Sequence, residues 1–116
     1  MEIKNQIAVV TGVSKGIGLE VVKILLEKEV TVAGWGRNAP DFSHENFHFF
    51  TCDVSKEEAV EKAYSETTTK LGSDIRILIN NAGFGIAGPT ESFSSEDWRA
   101  MFDTNVHGIF YVTKRF

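Results

Sequence analysis

The chain has 116 residues, with 12 Lys and Arg against 16 Asp and Glu, a formal net charge of −4, and 42% apolar residues. That length suits one domain, able to bury about two-thirds of the surface its unfolded chain exposes, and is too short for two. The mild acidity argues against nucleic acid or an anionic membrane as partner, and no apolar run approaches the roughly 20 residues of a membrane span. The single cysteine, Cys52, excludes an internal disulfide framework and a cysteine-rich zinc site. It fits a reducing compartment, and the first residues lack the long apolar stretch of a signal peptide, so a cytoplasmic protein is expected.

In chain order, Ile7-Ala8-Val9-Val10-Thr11 is rich in β-branched residues and reads as a buried strand. A glycine-punctuated turn, residues 12–18, follows. From Ile17, the apolar residues Val21, Val22, Ile24, Leu25 and Leu26 keep helical spacing to near Glu29. Residues 30–35 form a second strand. Residues 36–46, with Pro40, Asp41, Ser43 and Asn46, read as a loop. About a dozen residues join the second strand to the third, near the minimum for a parallel crossover and too few for a full helix. Residues 47–52 form a third strand. Ser55-Lys56-Glu57-Glu58 has the form of a capping box, with Ser55 accepting from the Glu58 amide. The helix it opens should reach Leu71, turn Ala59, Val60, Ala63 and Tyr64 inward, and end on Gly72. Ile75 to Ile79 is a fourth strand. A loop with Gly83, Gly85, Gly88 and Pro89 follows, then a helix starting at Ser94 or Ser95. The helical pattern resumes after Asn105 with Val106, Ile109, Phe110, Val112 and Thr113.

Strands alternating with helices imply βαβ units, hence an α/β fold. The expected architecture is a Rossmann-like doubly wound parallel sheet, incomplete, with about four strands in the order 3-2-1-4. Thr11-Gly12-Val13-Ser14-Lys15-Gly16-Ile17-Gly18 lies between a strand and a helix, the setting a phosphate-binding turn requires. Gly12 permits a sharp turn, Gly16 clears backbone amides for a pyrophosphate, and Gly18 lets helix and strand pack closely. The helix N-terminus adds unpaired N–H groups and a positive dipole end. The bland alternative is a plain βα turn with incidental glycines.

The spacing resembles the Thr-Gly-x-x-x-Gly-x-Gly turn of the short-chain dehydrogenase/reductase family. Asn80-Asn81-Ala82-Gly83 after the fourth strand, Cys52-Asp53-Val54 after the third and Asn105-Val106 in the last helix also resemble that family's motifs, in order. The resemblance implies roles at matched positions. Ser14, Lys15, Ile17 and neighbouring amides would hold the pyrophosphate and ribose. Asp53 and Val54 would face the adenine. Asn80, Ala82 and Gly83 would line the adenosine ribose and brace the glycine turn. Asp53 could equally be an ordinary pre-helix Asp, and the Asn pair a structural one.

NAD enzymes place an acid at the end of the second strand. Here that position holds Arg37, and no acid comes before Asp41. A guanidinium there can grip a 2′-phosphate bidentately, Lys15 adds a second positive charge, and NADP-preferring family members resemble this chain at both positions. NADP is expected, with NAD less favoured. The alternative is a solvated Lys and a surface Arg.

The family's hydride transfer uses a Ser, a Tyr and a Lys four residues after the Tyr, normally beyond the fifth strand. Tyr64 precedes Thr68, and Tyr111 is followed by Lys114 at a spacing of three, so neither pair matches. Tyr111 is expected to pack or face a partner, and Lys114 to be solvated. Asn105 is the only matched member of the family's catalytic group. No metal role is expected for His44, His48 or His107, and Trp35 and Trp98 read as packing residues. Phe84, Ile86 and the 85–89 loop are expected at the mouth of a substrate pocket.

Residues 106–116 are apolar and lack a C-cap, and the fourth strand would lie at an edge with no fifth beside it. The expectation is the N-terminal part of a longer, homo-oligomeric NADP-dependent oxidoreductase acting on a small carbonyl or alcohol, cut within a helix starting near residue 105. Alone it should be inactive. The alternatives are a short NADP-binding module, its edge closed by dimerisation, and an inert fragment.

Overall fold

A computed structural model describes residues 2–84 and 90–116. Strand β1 (Ile7–Thr11) leads into helix α1 (Gly16–Glu27), then β2 (Thr31–Gly36), β3 (Phe47–Thr51), α2 (Glu57–Leu71) and β4 (Ile75–Ile79). A 3-10 turn (Thr90–Ser92), α3 (Ser95–Phe102), a π turn (Asp103–His107) and α4 (Gly108–Thr113) complete it. The sheet is parallel, in the order β3-β2-β1-β4. Its β1–β2 register runs without a break from Ile7 opposite Thr31 to Thr11 opposite Trp35.

Alternation along the strands divides the core between two faces. Ala8, Val10 and Val32 meet Val22, Leu25 and Leu26 of α1 on one face. Val9, Ala33 and Trp35 meet Val60 and Ala63 of α2 and Val112 of α4 on the other. A helix on each face is the doubly wound arrangement. It leaves a crevice at the carboxyl ends of β1 and β4, where the winding reverses.

Two sequence expectations are corrected. Ser55 does not cap α2. Its hydroxyl and amide both donate to Asp53 Oδ1, at 2.7 and 3.0 Å, and Lys56 is the N-cap, with no side-chain cap bond. Asp53, two residues upstream, outcompetes the helix for Ser55, as short acceptors before helices often do. Nor does a helix begin near residue 105. Phe102, Asp103, His107 and Gly108 are all right-handed helical, so the chain runs as one helical stretch from Ser95 to Thr113 with a π turn inside it. Ser94 does cap α3, accepting from the Asp97 amide at 3.0 Å. Residues 37–46 hold no helix, and Ile86 and the rest of the 85–89 loop lie outside the described residues.

Candidate functional site

The site is built on the turn after β1. Gly12 has φ +72°, a conformation that side chains disfavour. Its carbonyl accepts from Asn81 Nδ2 at 3.0 Å, and its amide donates to the Trp35 carbonyl at 2.8 Å. The Thr11 hydroxyl oxygen accepts the amides of Asn81 and Ala82 at 3.0 and 2.9 Å, pinning the end of β4 to the end of β1. Gly18 is fixed by close approach: a Cβ there would stand 1.9 Å from the Gly12 carbonyl oxygen. The turn therefore delivers the first residues of α1 to the crevice in one defined position.

That helix end is electrostatically unspent. Lys15 is its N-cap with no side-chain cap bond, and no acid occupies the first turn. By contrast, α2 carries Glu57 and Glu58 in its first turn. A Cβ at Gly16 would meet no atom within 4 Å, so the space beside the amides is open. Free amides, the positive helix end and the exposed Lys15 ammonium together suit an anion.

The crevice is a cleft of about 460 Å³ lined from every strand end. Gly12, Ser14, Lys15 and Gly16 come from the turn, Gly36, Arg37 and Asn38 follow β2, Cys52, Asp53 and Val54 follow β3, and Asn81, Ala82 and Gly83 follow β4. Partial burial works to raise the Asp53 pKa. The two Ser55 hydrogen bonds and the Arg37 and Lys56 charges outweigh it and hold the carboxyl below its ordinary range. Burial and the neighbouring Asp53 push the Cys52 thiol up to about 12, so it stays protonated and inert.

Residues 6–116 match the family model for short chain dehydrogenase. The chain belongs to the short-chain dehydrogenase family. It is 38% identical over 114 residues to gluconate 5-dehydrogenase of Gluconobacter oxydans, covering 90% of this chain and 44% of that one. It is 33% identical over 115 residues to the NADPH-dependent 3-dehydrocapnine reductase of Ornithobacterium rhinotracheale, covering 93% and 41%. Aldohexose dehydrogenase of Thermoplasma acidophilum superposes with a TM-score of 0.90 at 28% identity, over 97% of this chain and 43% of that structure. The chain thus spans less than half the length of these three relatives.

Of the positions that the family resemblance singled out, the structure gathers Gly12, Ser14, Lys15, Gly16, Arg37, Asp53, Val54, Ala82 and Gly83 on the cleft. Gly18 lies behind it as a packing position. Ile17 is 76% exposed and Asn80 faces away, its amide donating to the Thr113 hydroxyl at 3.2 Å. The brace expected of Asn80 is made by Asn81. The Asn105 side chain closes on the Phe84 backbone, its Oδ1 accepting from the amide at 3.0 Å and its Nδ2 donating to the carbonyl at 2.6 Å. Tyr111 packs against the α2 side of the core and does not line the cleft. Lys114, expected to be solvated, pairs with Glu57 and lies 5.3 Å from the Phe110 ring centre.

Phe84, expected at the mouth of a pocket, lines the cleft; sequence reasoning missed Asn81, Asn38 and Thr104 there, and the partner of Trp35. The Trp35 indole is fully buried and donates to Thr67 Oγ1 at 3.0 Å, so Trp35 packs as expected while anchoring β2 to α2. For Asn81 a signal existed in its place beside Asn80 at the strand end. For Asn38 and Thr104 none did.

Proposed function

We propose that the cleft holds NADP and that this chain is the cofactor-binding part of a longer, homo-oligomeric oxidoreductase. That enzyme would interconvert a small carbonyl and its alcohol. The observation that carries the reading is the charge at the mouth of the cleft. Lys15 and Arg37 both line it, and the end of β2 offers no carboxylate to a ribose 2′-hydroxyl. Bound NADP would supply or receive the hydride. The amides opening α1, with Lys15, take the pyrophosphate. Arg37 takes the 2′-phosphate through its planar guanidinium fork. Asp53 commits Oδ1 to Ser55, leaving Oδ2 to accept from the adenine amino group. Ala82 and Gly83 line the ribose side, and Asn105 positions the segment at Phe84 that closes the cleft.

The Ser and the Tyr-x-x-x-Lys of the chemical step would come from the longer parent, in keeping with relatives more than twice this length. This chain by itself would then bind cofactor without turnover. Subunits would meet through the exposed apolar surface of Trp98, Phe102, Val106, Ile109 and Phe110. A buried free thiol suits a reducing cytoplasm. Titrating the chain with NADP and NAD tests the cofactor assignment. NADP should bind more tightly, by about tenfold or more for a bidentate charged pair, and Arg37→Asp should reverse the order. Equal affinities in the unmutated chain would remove the basis for NADP.

A further inference from the structure

Arg37 is an exposed residue on an irregular loop, where a long side chain on a free backbone would lose much of its binding energy to ordering. Its backbone is not free. The carbonyl before it, on Gly36, accepts the Cys52 amide at 2.8 Å. The carbonyl after it, on Asn38, accepts the Ser14 hydroxyl. Arg37 is thus bracketed by two held carbonyls, one tied by backbone and the other by a single side chain. That side chain sits on the glycine turn, which Thr11 and Asn81 hold rigid. The reach from Ser14 passes Gly36 closely: a Cβ there would stand 3.3 Å from the Ser14 hydroxyl and 3.7 Å from the Asn38 carbonyl oxygen.

We propose that the Ser14 hydroxyl, by clasping the Asn38 carbonyl, fixes Arg37 over the mouth of the cleft and so sets the preference for a 2′-phosphorylated dinucleotide. Ser14 is then a positioning residue acting through Arg37, not a phosphate ligand. The inference rests on the assignment of Arg37 to the 2′-phosphate. It makes one element of the site, the pyrophosphate turn, control the selectivity of another, 24 residues along the chain.

The test is the ratio of NAD to NADP dissociation constants, measured by titration calorimetry for the unmutated chain, Ser14→Ala, Ser14→Thr, Arg37→Ala and the Ser14→Ala/Arg37→Ala pair. Ser14→Ala should lower the ratio about fivefold, the factor one neutral hydrogen bond typically supplies, by weakening NADP more than NAD. Ser14→Thr, which keeps the hydroxyl, should hold the ratio. Adding Ser14→Ala to Arg37→Ala should change it no further. Equal weakening of both cofactors by Ser14→Ala would show a pyrophosphate contact or a general loss of structure and overturn the proposal. So would an unchanged ratio, a Ser14→Thr chain that behaves like Ser14→Ala, or additive effects in the pair. If Arg37→Ala itself leaves the ratio unmoved, the 2′-phosphate assignment fails, and the clasp's role in selectivity fails with it.

Discussion

Single atoms decide how the glycine turn works. Gly18 has no room for a methyl group: its Cβ would fall 1.9 Å from the Gly12 carbonyl oxygen and 2.6 Å from Asn81 Nδ2. Gly18→Ala must therefore push α1 off the strand or break the Asn81 brace. Urea unfolding should show a loss of about 3 kcal/mol, the upper range for overpacking. Asp53 gives a pH signature at the same scale. Its folded pKa is depressed below the ordinary carboxyl range, because two Ser55 hydrogen bonds, with the Arg37 and Lys56 charges, outweigh the cost of burial. A depressed carboxylate contributes stability that is fully present above the unfolded pKa and lost as pH falls through the folded one. Urea midpoints measured from pH 7 down to pH 3 should thus fall less steeply below pH 4 in Asp53→Asn than in the unmutated chain. Parallel pH profiles would contradict the assignment. The residue types at the site were legible in the sequence, but their partners were less so. Asn80 and Asn81 are adjacent, and neighbours at a strand end face opposite ways. The β1–β4 register also shifts between Ile7 and Ala8, so no count of positions could say which amide reaches Gly12.

Among the elements, short β-branched or aromatic runs and amphipathic helices were readable because burial on one or both faces fixes their period. What escaped was competition between neighbouring polar groups. Ser55 and Ser94 both precede acid-rich helix starts, yet only Ser94 caps its helix, because Asp53 holds Ser55 first. The two serines should therefore respond differently to removal. Ser94→Ala should lower stability by about 1 kcal/mol through α3. Ser55→Ala should raise the Asp53 pKa, read by the carboxyl carbon shift in an NMR titration, and leave α2 helical. A frayed α2 with an unchanged Asp53 pKa would restore the capping box. The π turn at Asp103–His107 also escaped, since its apolar spacing differs too little from that of an α-helix to mark it. It carries Asn105, which meets Phe84 across 21 residues.

Over the whole molecule, the order β3-β2-β1-β4 followed from alternating elements and crossover rules, and the crevice from the reversal between β1 and β4. The contents of the crevice did not follow in the same way. Four strand ends converge there from residues far apart in sequence, and the Ser14–Asn38 clasp joins the turn after β1 to the loop after β2. Such contacts depend on loop paths that local patterning does not encode. The convergence also makes the central assignment directly observable. Backbone amide shifts of the isotope-labelled chain, followed by NMR as NADP is added, should move at Ser14, Lys15, Gly16, Arg37, Asp53, Val54, Ala82 and Gly83. Shifts that bypass these residues and fall along Trp98, Phe102, Val106 and Phe110 would contradict a dinucleotide site at this cleft.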